Sequence, residues 1–428
     1  MTAPRSDRRA LVVWGVAVAA YVVAITNRSS FGVATLEVTD LFGVSSSLLA
    51  TMAVAQLVVY AALQVPVGVL LDRYGPRLLV ATGAGVMALG QGVLALAPSA
   101  AWVLAGRMLV GAGDALTFVS VIRLVPAWFA ARRVPLLTQL TGSIGQLGQV
   151  VSAVPLVALL HATGWRTTFL SVAAVGVVAA VAVLALVRDA PSVAAASGVA
   201  GPGAGAAHPA ARSPRERGAL RAVLREHGVR LAFWIHFSGQ FSNHVIVLLW
   251  GYAFFVEGQG RTAGEASALL TLNVVAAVVA GPVIGLVAGR HPRVRLAMAL
   301  AASGAIGLAW LSVVLPTEPV PFAVLAVFVV VVGIGGPMSL VAFDVARGHV
   351  PARRLGTTTG FVNTGGFIGA FATMLVVGLV LDRATGADGV RDLAAFRSAF
   401  AWVAVPWMLG VAGMLAGRHS LRRSSATD

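Results

Sequence analysis

The chain has 428 residues, of which 58% are hydrophobic and only 11% charged, whereas a soluble domain carries about 25% charged residues. The formal net charge is +15 and every basic residue is arginine, but the arginines lie between apolar runs, so we interpret them as determinants of membrane topology and expect no nucleic-acid partner. Cysteine is absent and the histidines show no metal-ligand spacing, so we expect no disulfide, no metal and no cofactor.

Twelve segments are apolar on all sides over the roughly 20 residues that a helix needs to cross a bilayer. Numbered as spans 1 to 12, they cover about 10–36, 44–71, 77–97, 101–125, 134–161, 167–187, 229–256, 263–289, 294–315, 321–345, 355–381 and 396–417. Strands of a membrane barrel are about ten residues long and alternate in polarity. The sequence therefore predicts an all-α membrane protein whose first span, too long for a signal-peptide core, is retained.

The distribution of arginine predicts the orientation of these spans, because cytoplasmic loops are enriched in basic residues. With a cytoplasmic N-terminus, that side receives Arg5, Arg8, Arg9, Arg73, Arg77, Arg132, Arg133, Arg290, Arg293, Arg295, Arg347, Arg353, Arg354, Arg418, Arg422, Arg423 and the central loop. The opposite side receives Arg166, Arg261, Arg383, Arg391 and Arg397. We expect a multi-pass protein of the inner, cytoplasmic membrane with both termini in the cytoplasm.

Span 1 carries the polar run Asn27-Arg28-Ser29-Ser30 inside its apolar segment. Arg28 lies too far from Arg9 for both side chains to reach the same interface, so we expect it to face a central cavity. The alternatives are that Arg28 extends to the membrane surface or pairs with Asp114.

The most specific motif, GVLLDRYGPR, lies between spans 2 and 3 and resembles the signature of that loop in the major facilitator superfamily of secondary transporters. Its key positions are Gly68, Asp72, Arg73, Gly75 and Arg77. Glycine allows close helix contact, and the charged groups can form charge-assisted hydrogen bonds that latch neighbouring helix ends. The alternative is a solvated turn. In the second half Gly289 replaces the aspartate, which predicts a weaker latch there.

Span 4 reads Arg107-Met-Leu-Val-Gly111-Ala-Gly113-Asp114, similar to the family pattern Arg-x-x-x-Gly-x-Gly in that helix. Arg107 and Asp114 are seven residues apart, so they share one helix face about 10 Å apart along the axis. One interpretation is that Asp114 binds a proton or a substrate group. The other is an ion pair that only fixes helix packing.

Span 7 has a polar stripe, His236, Gln240 and Asn243, with His244 beside it. His244 is either a carrier of a coupling proton or a hydrogen-bonded partner of another helix. Arg28 resembles the cavity arginine of organophosphate and other organic-anion antiporters of the superfamily. Those antiporters show a second arginine at the position of His244, six residues before Trp250, so this difference argues against specificity for phosphate esters.

Two amides, Gln56 in span 2 and Asn273 in span 8, are related by an offset of 217 residues. We predict that they line the cavity, with an interhelical hydrogen bond as the alternative for each. Span 5 lacks the Gly-Pro-x-x-Gly-Gly run that the drug antiporters of the family usually show, which argues against drug efflux.

The chain divides into two related halves. Ala131-Arg-Arg-Val, followed by Gly145 and Gly148, matches Ala352-Arg-Arg-Leu, followed by Gly366 and Gly369, at an offset of 221 residues, which is typical of duplicated transporter halves. A Pro/Gly/Ala-rich stretch with a basic end separates them; the basic end is predicted either to lie on anionic headgroups as an amphipathic helix or to be solvated. We expect an N-terminal six-helix bundle at 1–187, a cytoplasmic linker at 188–228 and a C-terminal six-helix bundle at 229–428.

The resemblance implies alternating access, in which the two halves rock around a site near the midplane, and no enzymatic chemistry. We expect a monomeric secondary transporter of a small polar or anionic organic solute, coupled to protons through Asp114 or His244. The site prediction comprises Arg28, Gln56, Arg107, Asp114, His236, Gln240, His244 and Asn273. The alternatives are a drug efflux antiporter and a non-transporting sensor on the same fold.

Overall fold

The structure is a computed structural model that describes residues 4–32, 34–43, 46–191, 219–384 and 391–424. Within these ranges every regular element is a helix. Residues 192–218 of the predicted linker and the side chain of Arg5 lie outside the described part. Of the predicted basic linker end, a short helix at Ala219–Arg225 is described.

Each predicted span corresponds to a helix. Spans 1 to 4 are Pro4–Ser29, Ser46–Tyr74, Pro76–Ala95 and Ala100–Ala115 continued by Phe118–Trp128. Spans 5 and 6 run through Val134–Gly145, Leu147–Val151, a π-helical turn at Ser152–Leu156, and Val157–Leu186. Span 7 is His227–His244, continued by Val245–Trp250, Gly251–Ala253 and Phe254–Gly258. Spans 8 to 12 are Ala263–Arg290, Arg295–Val314, Phe322–Arg347, Leu355–Ala384 and the pair Leu393–Ala401 and Ala404–Ser424. A short helix, Thr35–Phe42, follows span 1.

Ten helices in the described ranges are long and apolar enough to cross a membrane, and one of them, Val134–Leu186, has 53 residues. This helix contains two spans, because Gly164 has the non-helical torsion φ 77°. Trp128, just before span 5, donates a hydrogen bond to the carbonyl of Arg188, just after span 6. The chain therefore returns at Gly164 to the side from which span 5 started.

Span 1 is shorter than predicted, since its helix ends at Ser29 and not near residue 36. The polar run explains the difference. Asn27 donates to the carbonyl of Val23 at 2.7 Å, and Ser29 donates to that of Ile25 at 2.7 Å. Such local side-chain bonds compete with the helical pattern and favour helix ends. Arg28 accordingly lies in the last turn of span 1.

Within each half, small residues allow the helices to pack closely, as is usual in membranes where helix association depends on packing. In the first half, a Cβ atom at Gly83 of span 3 would lie 2.6 Å from the carbonyl oxygen of Gly113 in span 4. In the second, one at Gly335 of span 10 would lie 2.6 Å from the carbonyl oxygen of Gly239 in span 7. Spans 2 and 11, and spans 5 and 8, pack against each other across the two halves.

Candidate functional site

A cavity of about 210 Å³ lies between the two halves. Its walls come from spans 1, 2, 4 and 5 on one side and from spans 7, 8, 10 and 11 on the other. The polar and aromatic side chains in these walls are Tyr21, Arg28, Tyr60, Phe118, Gln139, Ser143, Gln146, Gln149, His236, Gln240, Asn243, His244, Asn363 and Phe367. Among the described lining residues, Arg28 is the one with a permanent charge, and none has an acidic side chain.

Arg28 and Asp114 form a bidentate ion pair at the cavity wall. The Arg28 Nε atom lies 2.6 Å from Asp114 Oδ2, and Nη2 lies 2.9 Å from Oδ1. The Asp114 side chain is 1% exposed, whereas that of Arg28 is 28% exposed. The Arg28 guanidinium also lies 4.9 Å from the centre of the Tyr60 ring. The arginine therefore faces the cavity, and the carboxylate lies behind it.

Arg107, the second predicted charge of span 4, has no carboxylate partner among the residues that the structure describes. Its guanidinium lies 4.4 Å from the centre of the Phe31 ring, and its Nη2 atom is 3.4 Å from the carbonyl oxygen of Arg28. Arg107 is only 4% exposed, and its Nε and Nη1 atoms have no hydrogen-bond partner. The ion pair between Arg107 and Asp114, one of the two interpretations of span 4, is therefore not formed, because Asp114 pairs with Arg28 instead.

The three charges together leave the region positive. Two guanidiniums, Arg28 and Arg107, accompany one carboxylate, Asp114, which gives a formal sum of +1. A buried charge without a counter-charge is strongly unfavourable in a low-dielectric interior. This arrangement favours a bound anion in the cavity.

The polar stripe of span 7 lines the opposite wall. His236 Nδ1 lies 3.2 Å from the Ser339 carbonyl oxygen, and His244 Nδ1 lies 3.0 Å from the Gln240 carbonyl oxygen. The Gln240 amide oxygen accepts a hydrogen bond from Ser339 Oγ at 3.0 Å. These side chains are therefore held in fixed orientations by backbone and side-chain partners. Asn243 also lines the cavity, and its Oδ1 atom has no partner.

Several lining residues were not assigned a role from sequence. Gln139 of span 5 donates to the carbonyl of Pro337 at 2.7 Å, and Asn363 of span 11 donates to Gln64 of span 2 at 2.7 Å. Both bonds join the two halves. Tyr60 packs on Phe367 with ring centres 4.9 Å apart. Gln139 and Asn363 could have been found from sequence, because each is a polar residue within an apolar span.

Gln56 and Asn273 do not line the cavity, which corrects the prediction for both residues. Asn273 donates to the carbonyl of Val329 at 2.8 Å, so it joins spans 8 and 10. Gln56 is buried where span 2 meets span 4: a Cβ atom added at Gly111 would clash with the Gln56 backbone carbonyl and would lie 3.0 Å from the Gln56 Cγ atom. The rotation of spans 2 and 8 turns both amides toward neighbouring helices of their own halves.

Asp72 joins the two halves at the end of span 2. Its carboxylate accepts hydrogen bonds from the backbone N–H of Gly356 at 2.6 Å, and from the N–H and hydroxyl of Thr357, each at 2.7 Å. These donors belong to the first turn of span 11, where a helix has free N–H groups and a positive dipole end. The aspartate therefore caps a helix of the opposite half.

The other motif residues act around this contact. A Cβ atom at Gly68 would lie 2.6 Å from the Gly356 carbonyl oxygen, so glycine is what lets spans 2 and 11 touch. Gly75 has φ 80°, a conformation that favours glycine. Arg77 does not join the halves, because it donates to the Leu184 carbonyl of its own half. Arg73 is exposed and stacks on Tyr74.

Contacts between the halves extend from Asp72 inward. Gly289 approaches the Arg132 carbonyl, and Arg123 donates to the Ala352 carbonyl at 3.0 Å on the same side. At the cavity wall, the halves meet through the contact between the Tyr60 and Phe367 rings. The halves are thus closed on the side of the loop between spans 2 and 3. This is one of the two closed arrangements that alternating access requires.

A bundle of apolar helices around a polar, positively charged cavity defines a polytopic membrane protein with an internal binding site. The chain matches the Major Facilitator Superfamily profile over residues 17–374 and 253–424. It belongs to the major facilitator superfamily.

Known proteins support this assignment. The chain is 26% identical over 170 residues to the probable L-galactonate transporter of Escherichia coli (strain K12), covering 40% of this chain and 38% of that protein. It is 28% identical over 177 residues to a putative tartrate transporter of Agrobacterium vitis, covering 40% and 41%. The alignments thus span about two-fifths of these relatives. The crystal structure of the E. coli fucose:proton symporter FucP matches with TM-score 0.66 and 16% identity, over 94% of this chain and 99% of that one; at this identity the likeness shows the fold.

Proposed function

We propose that this protein is a secondary transporter that moves a small organic anion across the cytoplasmic membrane by alternating access. The observation that carries the proposal is Arg28, whose guanidinium lies on the wall of a cavity between the halves; no acidic side chain is among the described residues that line this cavity. A planar guanidinium binds carboxylates in a bidentate manner. The formal charge of +1 on Arg28, Arg107 and Asp114 complements such a ligand.

The partial relatives support the same class of substrate, since the names of both refer to small carboxylates, L-galactonate and tartrate. The alternative function, drug efflux, would be favoured by a purely apolar cavity without an inward-facing Arg28. The cavity has the opposite character, because amides and imidazoles accompany the arginine. No observation favours a sensor over a carrier.

We assign the coupling proton to Asp114. Its carboxylate occupies the fork of Arg28 with both oxygens. An anionic substrate needs the same donors, and protonation of Asp114 would weaken its hold on them. Proton uptake and substrate binding at this pair are therefore linked in the direction of symport. His244 is the second candidate for the proton, because its ring lines the cavity.

In this proposal the halves at 1–187 and 229–428 move relative to each other, with 188–228 as the linker. The contacts of Asp72 and Gly68 with span 11 close one side. Opening them exposes the cavity to the predicted cytoplasm. The polar stripe of span 7 and Arg28 stay at the interface in both arrangements.

The test is uptake into proteoliposomes that contain the purified protein. L-tartrate and L-galactonate are supplied with and without an inward pH gradient, and lipid without protein is the blank. We expect saturable uptake that the gradient drives uphill. We expect Arg28→Lys to raise the KM at least about tenfold, because an ammonium cannot replace a bidentate fork.

The coupling has a separate readout. We expect Asp114→Asn to abolish gradient-driven accumulation and to retain exchange of substrate between the two sides. Asn273→Leu is the matched control, since Asn273 is a buried amide outside the cavity. Uptake of neither anion, or uptake indifferent to Arg28, contradicts the proposed function.

A further inference from the structure

Among the described residues, three side chains that line the cavity have a buried acceptor atom without a hydrogen-bond partner: Gln139 Oε1, His236 Nε2 and Asn243 Oδ1. Two of these residues, Gln139 and His236, are almost fully buried. Gln139 is 3% exposed and His236 is 2% exposed, and both line the cavity. Buried polar atoms in folded proteins normally have a partner, so an unpaired acceptor in a ligand cavity indicates a donor on the ligand.

The chemical role of each atom is fixed by its neighbours. Gln139 Nε2 donates to the Pro337 carbonyl, which can only accept, so the amide orientation leaves the oxygen free. His236 Nδ1 lies 3.2 Å from the Ser339 carbonyl oxygen, which likewise can only accept. The proton of the neutral ring is thus on Nδ1, and Nε2 is an acceptor.

We infer that Gln139 and His236 form a hydroxyl-recognising subsite, and that the substrate is a hydroxylated carboxylate instead of a plain one. This inference rests on the proposed function, because Arg28 is assigned to the carboxylate. One ligand then satisfies both walls: its anionic oxygens accept from the guanidinium, and its hydroxyl groups donate to the amide oxygen and the imidazole nitrogen.

An ammonium group also donates hydrogen bonds, so an amino acid is the competing ligand. The lining favours hydroxyls, since an ammonium requires a counter-charge and the described part of the lining has no carboxylate. Asp114 is held behind Arg28 and does not supply one. The two acceptors are neutral groups from opposite halves, Gln139 in span 5 and His236 in span 7, so the hydroxylated end of the ligand contacts both halves.

The test compares four-carbon anions of one skeleton: succinate, L-malate, L-tartrate and L-aspartate. Binding to the purified full-length protein is measured by isothermal titration at neutral pH, where succinate and tartrate are both dianions. A site built to bond a hydroxyl discriminates strongly against the analogue without it. We expect tartrate to bind at least about tenfold tighter than succinate, with malate between them and aspartate no tighter than malate. L-galactonate against hexanoate repeats the comparison for a longer chain.

Variants connect this preference to the subsite. His236→Phe and Gln139→Met should each reduce the ratio of tartrate to succinate affinity to about a third or less, through weaker tartrate binding, while succinate binding stays within about twofold. Asn273→Leu is the matched control, because Asn273 is a buried amide outside the cavity that donates to the Val329 carbonyl; it should leave the ratio unchanged. Gln139→Met loses a hydrogen bond between the halves. If this variant fails to fold, His236→Phe alone still tests the proposal.

The outcomes separate the two proposals. Equal affinity for hydroxylated and plain anions, or a ratio that survives both variants, overturns the hydroxyl subsite and leaves anion transport standing. Tighter binding of aspartate than of tartrate assigns the acceptors to an ammonium and also overturns it. If neither chain length shows Arg28-dependent anion binding, the proposed function fails and the subsite fails with it.

Discussion

The sum of charges at the cavity wall predicts that removing Asp114 and removing Arg28 have unequal effects on stability. Asp114→Asn raises the formal sum from +1 to +2 and leaves two guanidiniums, Arg28 and Arg107, without a carboxylate. Arg28→Gln lowers the sum to zero, and Arg107 remains as a cation near Asp114 on the same helix. We therefore expect the aspartate substitution to lower the free energy of unfolding more.

The magnitudes follow from burial. Removing one partner of a buried ion pair destabilises by about 3–5 kcal/mol. Because the Arg28 side chain is 28% exposed to the cavity, we expect the lower end, about 3 kcal/mol, for Asp114→Asn. For Arg28→Gln we expect about 1.5–2 kcal/mol, the loss of hydrogen bonds to a charged group with partial compensation by Arg107. The double variant should lose less than the sum, with a coupling of at least about 1 kcal/mol.

The assay is equilibrium unfolding of the purified protein in detergent, followed by tryptophan fluorescence, for the wild type, both single variants and the double variant. Glu257→Gln is the control, since its pair with Arg391 is 3.9 Å long and exposed. Such pairs contribute about 0–1 kcal/mol. Equal losses for the two single variants, or a larger loss for Arg28→Gln, would refute the charge argument. Strict additivity would refute the pairing.

Three further predictions concern closure, packing and orientation. Asp72→Asn weakens the cap on span 11. A cysteine introduced at Thr359, in a chain that has no other thiol, should then react about tenfold faster with a membrane-impermeant maleimide. An unchanged rate would show that Asp72 does not hold the halves together. Gly68→Val places a side chain where a Cβ atom would lie only 2.6 Å from the Gly356 carbonyl oxygen. We expect transport to stop while the melting temperature stays near that of the wild type. Retained transport would contradict the inference that spans 2 and 11 need a glycine at their contact. Reporter fusions at either terminus or in the linker should all report the cytoplasm, and one periplasmic signal would overturn the orientation drawn from arginine.

The membrane class and the positions of the spans were predictable from sequence, because both depend on local composition. A run of about 20 apolar residues has to be a helix in lipid, whatever it packs against, since its backbone groups need internal partners. Gly68, Asp72 and Gly75 were also recognisable, because they belong to one contiguous motif. Gly68 is needed for a close helix contact, and Gly75 is needed for a positive φ. The end of span 1 was wrong by several residues, since short side-chain bonds to the backbone of one turn ended the helix early.

The partners of the charged side chains were decided only by the tertiary structure. Spacing places Arg107 and Asp114 on one face, but Asp114 binds Arg28, 86 residues away in the chain. Asp72 likewise finds its donors on a helix 284 residues further on. Periodicity defines the face on which a side chain lies, whereas the rotation of the helix and the identity of its neighbours decide what that face meets. For the same reason Gln56 and Asn273 contact other helices, while Gln139, in a small-residue stretch, lies at the cavity.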